Sequence, residues 1–183
     1  MGTAFAEDKD KEAKDAEKTA KKAEKTTEKK TDIDAMAAKA LKEVTDKSPE
    51  AKALYQKSVG YAAFENLKVA VGISGGGGSG VAVPKKGNRV YMKMGTAGIG
   101  LGLGAQKYQV VFFFENEAAM KSFIDKGWQA DASAQASAAD KGANASATFK
   151  NGVAVYQMTD KGLMASADIA GTKYWKNDDL NAK

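Results

Sequence analysis

The chain has 183 residues, 43% of them apolar, and a net charge of +5, which suits one domain with an appendage better than two domains. It contains no Cys and no His, which excludes disulfides, thiolate nucleophiles, Cys-ligated zinc, Ser-His-Asp catalysis and His-based metalloprotease chemistry. No apolar run approaches the ~20 residues that span a bilayer as a helix. The basicity is short of a dedicated nucleic-acid binder and compatible with an anionic membrane surface.

Residues 7–31 hold nine Lys and eight acids with no large apolar side chain. Ala13, Ala16, Ala20 and Ala23 form a narrow stripe, and Glu7–Lys11, Asp10–Lys14 and Glu17–Lys21 are acid-before-base pairs at i,i+4. Residues 1–32 therefore read as a charged spacer, disordered or loosely helical; a short Ala-lined coil is the alternative. Ahead of it, Ala4-Phe5-Ala6 has the small-x-small pattern of a signal-peptidase site, a pattern that chance also produces. Export, with a polar tether behind the cleavage point, would explain the spacer.

From Ile33 the large apolar residues begin. Ile33, Met36, Ala37, Ala40, Leu41 and Val44 share one face of a helix. Ser48-Pro49-Glu50 starts a second helix, with Ser as N-cap, Pro in the first turn and an acid beside the helix dipole. Beyond Gly60 the pattern is of strands: Tyr61–Ile73 and Val81–Val83 flank the glycine run 75–80, and Val90–Met94, the GIGLGLGA segment and Val110–Phe114 follow. A helix is predicted from Asn116 to about Lys126, with Ala119, Met120, Phe123 and Ile124 as its buried stripe. Strands over Gln129–Ala138, Val153–Thr159 and Leu163–Trp175 complete the chain, separated by turns at Lys141-Gly142, Asn151-Gly152 and Lys161-Gly162. Gly98, Gly100, Gly102 and Gly104 line one strand face, either beneath the 116–127 helix or as a slot for a flat apolar ligand.

Several chemistries fail on the residues. The run 75–80 leads into a strand pattern and has no Lys-Ser or Lys-Thr, so it is not a phosphate loop. Asp131, Asp140, Asp160 and Asp168 are the remaining carboxylate candidates, and acids at strand ends are commonly turn-formers. Phe112-Phe113-Phe114 reads as core rather than as an RNA-stacking platform. The local cationic cluster is Lys85, Lys86 and Arg89, with Lys93 and Lys107 as neighbours; it suits lipid headgroups or is a solvated hairpin tip.

These landmarks, in their order, resemble the SYLF family. Gly60-Tyr61-Ala62-Ala63-Phe64 is similar to its opening strand, and Gly75–Gly80 with Val81 to its Gly-rich hairpin. Gly100-x-Gly102-x-Gly104-Ala105-Gln106, the apolar strand Val110–Phe114, Phe123 to Gly127-Trp128, and Lys161-Gly162-Leu163 with Gly171-Thr172-Lys173 continue the match. The resemblance implies a lipid-binding module; eukaryotic members bind phosphoinositides and actin filaments, and bacterial members are exported and often lipid-anchored. Residues 7–31 lack the bulky groups of the eukaryotic lipid-inserting helix, so the bacterial branch is the closer fit.

The expectation is an α+β domain over residues 33–183: a small curved, mostly antiparallel barrel or sandwich of about seven strands, with two N-terminal helices and one inserted helix. Functionally it is a non-enzymatic protein of the cell envelope, periplasmic or anchored to the outer membrane, without cofactor, metal or nucleic acid. It binds anionic phospholipid through Lys85, Lys86, Arg89, Lys93, Lys107 and Trp128; the alternative is a structural module that binds an envelope protein.

Overall fold

A computed structural model describes residues 4–129, 148–159, 162–165 and 172–182, with the backbone path alone over 4–13, 67–75, 97–106 and 164–165. The chain divides into two compact units, Met1–Asp32 and Ile33–Lys183. Helix α1, Ala4–Lys47, runs through the first unit and into the second. In the first unit local contacts run along it. Lys21 pairs with Glu17 at 2.6 Å, and the hydroxyls of Thr19, Thr26, Thr27 and Thr31 each donate to the carbonyl four residues back. The ion pair stabilises a helix by about a few tenths of a kcal/mol, whereas back-bonded Thr hydroxyls slightly destabilise one.

In the second unit, burial takes over from local pairing. Ile33, Ala37, Ala40 and Val44 are a buried stripe of α1 at helical spacing. Helix α2, Pro49–Lys57, begins as its residues dictate: the Ser48 hydroxyl accepts from the Ala51 N–H at 3.0 Å, with Pro49 in the first turn.

Two long strands dominate the sheet. Strand β1, Gly60–Pro84, pairs antiparallel with β2, Val90–Phe114, from Gly60↔Phe114 to Ala82↔Val90, with a register shift between Val71 and Ile73. The glycine run thus lies inside a strand rather than between two, and the segments 90–94, 98–105 and 110–114 are one strand. The glycines serve a close approach. The two ends of β1 come together, the Lys85 N–H donating to the Val59 carbonyl at 2.9 Å, and a Cβ at Gly78 or Gly80 would fall on the carbonyl oxygens of Glu65 or Ala63.

Helix α3, Glu117–Lys126, follows β2; Asn116 caps it, its Oδ1 accepting from the Ala119 N–H at 2.9 Å. Strands β3 (Trp128–Gln129), β4 (Val153–Thr159), β5 (Gly162–Ala165) and β6 (Thr172–Lys176) add to the β2 side. The order is β3-β6-β2-β4-β5, with β1 on the other edge of β2. Strand β6 takes residues 92–96 of β2 and β4 takes 109–114, so the sheet is antiparallel throughout and curls as a half-barrel. A short helix α4, Asp178–Asn181, which the periodicity does not predict, closes the chain; Asn181 Oδ1 accepts from the Tyr91 N–H at 3.0 Å. The Asn151-Gly152 turn lies where the sequence puts it, both residues having positive φ (51° and 79°).

Both sheet faces are covered, as the unbroken run Val110–Phe114 requires. Phe64, Phe112, Phe114, Met92 and Tyr174 pack with Met120 and Phe123 of α3 on one face. Tyr61, Val81, Val111, Phe113 and Tyr156 pack with the α1 stripe on the other. What lies against the glycine face 98–104 is outside the described side chains, as are Asp131, Asp140, Asp160 and Asp168. Among the described residues no helix is long and apolar enough to cross a membrane.

Candidate functional site

The cations singled out in the sequence are placed in different environments. Lys85 is bound to α2: its Nζ donates to the carbonyls of Tyr55 at 2.9 Å and Gln56 at 3.0 Å and lies 5.0 Å from the Tyr55 ring centroid. It brings a cation to the helix C-terminus, where the dipole favours one, and shares the Tyr55 carbonyl with the Ser58 N–H and hydroxyl. Arg89 pairs with Asp34 at 2.6 Å, and the Tyr91 hydroxyl donates to the same carboxylate oxygen at 3.2 Å. Lys86 is exposed and has no side-chain partner among the described residues.

Lys107 pairs with Glu65 at 3.0 Å, across the β1–β2 ladder. Trp128 is half-buried, its ring 5.3 Å from Phe112 and 5.7 Å from Tyr174, so most of it belongs to the core. Lys93 reaches Asp179 of α4 at 3.5 Å, a loose and exposed pair.

Opposite Lys93 in the ladder stands a residue the sequence reading passes over. Trp175 is the cross-strand partner of Lys93 and, at 44% exposure, the one exposed large hydrophobic residue among those described. Strand alternation puts it there. Thr172 and Tyr174 point into the core, so Lys173 and Trp175 point out. The indole lies over Gly95, where a Cβ would stand 3.0 Å from the ring edge. The signal was the KYWK segment, residues 173–176: alternation sends only one of two adjacent aromatics inward. An indole lying on bare backbone and flanked by Lys93 and Lys173 suits the boundary between apolar and aqueous phases.

A second feature is a cleft of about 600 Å³ between the end of β1 and α3. Val59, Pro84, Met120 and Ile124 give it apolar walls, and Lys85, Lys86 and Lys121 give it cations. No group of three or more carboxylates among the described residues could hold a metal. Burial pushes the Tyr61, Tyr91 and Tyr156 hydroxyls up and that of Tyr174 well up. Glu50 is held below the ordinary carboxylate range by its backbone hydrogen bond, then by the Ser48 hydroxyl.

Comparison with known proteins places this architecture. Over 149 residues, 81% of the chain, it is 39% identical to "Beta cell expansion factor A" of Aeromonas veronii, and it spans 57% of that protein's length. The family model described as "Ysc84: Las17-binding protein actin regulator" matches residues 95–183. The chain belongs to the Ysc84, or SYLF, family. Ysc84/SYLF domains form a family of binding domains. The matched SYLF segment opens inside β2 and includes α3, Trp128, Lys173 and Trp175; Lys85, Lys86, Arg89 and Lys93 precede it.

Proposed function

We propose that this SYLF protein is a non-enzymatic module that binds anionic phospholipid headgroups at a membrane surface, with the Trp175 face as its point of contact. The observation that carries the reading is the pairing of Trp175 with Lys93 on the outer face of β6 and β2. Burying the exposed remainder of an indole in the interfacial region is worth about 1–2 kcal/mol. Charge adds less. Lys93 and Lys173 share the face with Trp175, and Asp179 pairs with Lys93, two positive charges less one negative, a net of one. One such charge near an anionic surface is worth about 1 kcal/mol.

The reading also draws the site away from the hairpin turn, since Lys85 and Arg89 are engaged within the fold. The spacer 1–32 and the Ala4-Phe5-Ala6 pattern favour an exported, envelope-associated protein, periplasmic or anchored at the outer membrane. A second reading, a module that binds a protein partner, is favoured by the family's description as a Las17-binding actin regulator. Sedimentation of the full chain with vesicles of phosphatidylserine in phosphatidylcholine, compared with phosphatidylcholine alone, separates the two. Preference for the anionic vesicles, weakening moderately with salt, supports the lipid reading. Equal absence from both overturns it.

A further inference from the structure

The cleft between β1 and α3 asks for an occupant of its own. Its walls are four apolar side chains: Val59 just before β1, Pro84 at its end, and Met120 and Ile124 on α3. A protein interface commonly takes ~20–30 residues a side, so four apolar side chains are too few to seat a partner protein. A volume of about 600 Å³ falls within the range of small-molecule sites, roughly 300–1,000 Å³.

The rim is polarised. On α3, Lys121 lies four residues after Glu117 and four before Asp125, so that side carries one positive charge and two negative. At the turn after β1, Lys85 and Lys86 stand with no acid between them and Arg89. Lys85 is fixed by the Tyr55 and Gln56 carbonyls, which use two of its three N–H donors and leave one. Lys86 has all three. An anionic head is therefore favoured at the turn, with an apolar tail running toward Ile124.

We infer that this cleft binds one single-chain anionic amphiphile, an apolar tail with a carboxylate or phosphate head. The site is independent of the Trp175 face: it takes a monomer from solution and needs no bilayer. Both fatty acids and monoacyl phospholipids present this chemistry, and the head group tells them apart.

The test is calorimetric titration of the full chain with decanoate and with decyl phosphate, each below its aggregation threshold, and with uncharged decyl maltoside as control. The expected result is saturable one-to-one binding of at least one anion, its identity naming the head chemistry. Lys86→Glu should weaken it by about fivefold or more, since it replaces a favourable charge with an unfavourable one. Ile124→Asp should weaken it further, and Trp175→Ala should leave it unchanged while lowering vesicle binding. Lys86 has no structural contact among the described residues, so its variant keeps the test readable if Ile124→Asp lowers stability. Absence of saturable binding, equal binding of the maltoside, or binding that Lys86→Glu leaves unchanged overturns the inference.

Discussion

The ammonium of Lys85 lies 2.9 Å from the carbonyl oxygen of Tyr55, at the C-terminal end of α2. It also donates to Gln56 and lies over the Tyr55 ring, joining the end of β1 to a helix thirty residues earlier. Two adjacent lysines therefore have different roles. Lys85→Ala should lower stability by about 1 kcal/mol, the order of a charged side chain at a helix C-terminus with a cation–π contact. Lys86→Ala should leave the unfolding midpoint unchanged. Denaturant unfolding of the two variants makes the comparison, and equal midpoints would show that the Lys85 contacts contribute nothing.

The glycine run in β1 gives a second paired test. A methyl group at Gly78 would meet the Glu65 carbonyl, and one at Gly80 the Phe64 ring and the Ala63 carbonyl. At Gly77 the nearest atom is the Met94 carbonyl oxygen at 3.8 Å, ordinary contact. Gly78→Ala and Gly80→Ala should each cost about 1–3 kcal/mol or more by overpacking. Gly77→Ala should be neutral or slightly stabilising, because it restricts the unfolded chain. Thermal unfolding of all three ranks them.

The Tyr174 hydroxyl is buried without a hydrogen-bond partner among the described residues, and burial holds its proton well above pH 10. A raised pKa contributes stability that is complete below the unfolded value, near 10, and lost as pH rises past it. Glu50, shifted the other way, contributes above the ordinary carboxylate range and loses this as pH falls. Neither shift enters the interval from pH 5 to 8, and the chain has no His. Melting temperature and vesicle binding should be flat across pH 5.5–8.0. Stability should fall above pH 10, and Tyr174→Phe should soften that fall. At neutral pH the same variant should be neutral or stabilising by up to about 1 kcal/mol, since it removes an unpaired buried hydroxyl.

The readable parts of this chain are the local ones. Ser48-Pro49-Glu50 and Asn116 specify helix starts within three residues, and the Asn151-Gly152 turn specifies its own backbone. The run Val110–Phe114 announced a strand covered on both faces, and α1 and α3 supply the covers. The glycine run was opaque because its reason, contact with Ala63 and Glu65, lies more than ten residues away. The same holds for the site. The lysines and Arg89 are visible as charges, but the acids that face them, Asp34, Glu65 and Asp179, are distant in sequence except through the fold. Trp175 was hidden by its neighbour: of two adjacent aromatics, only the ladder register shows that Tyr174 is the buried one.

The central claim is that Trp175 meets the membrane, and partitioning of the Trp175→Ala and Trp175→Phe variants onto phosphatidylserine-containing vesicles tests it most directly. The indole is exposed and its loss removes no core contact of α3, so both variants should fold with an unfolding midpoint close to that of the parent chain. Losing about 1–2 kcal/mol of interfacial burial should lower the partition coefficient of Trp175→Ala roughly tenfold, with Trp175→Phe intermediate. Partitioning of Trp175→Ala equal to that of the parent chain would contradict the account.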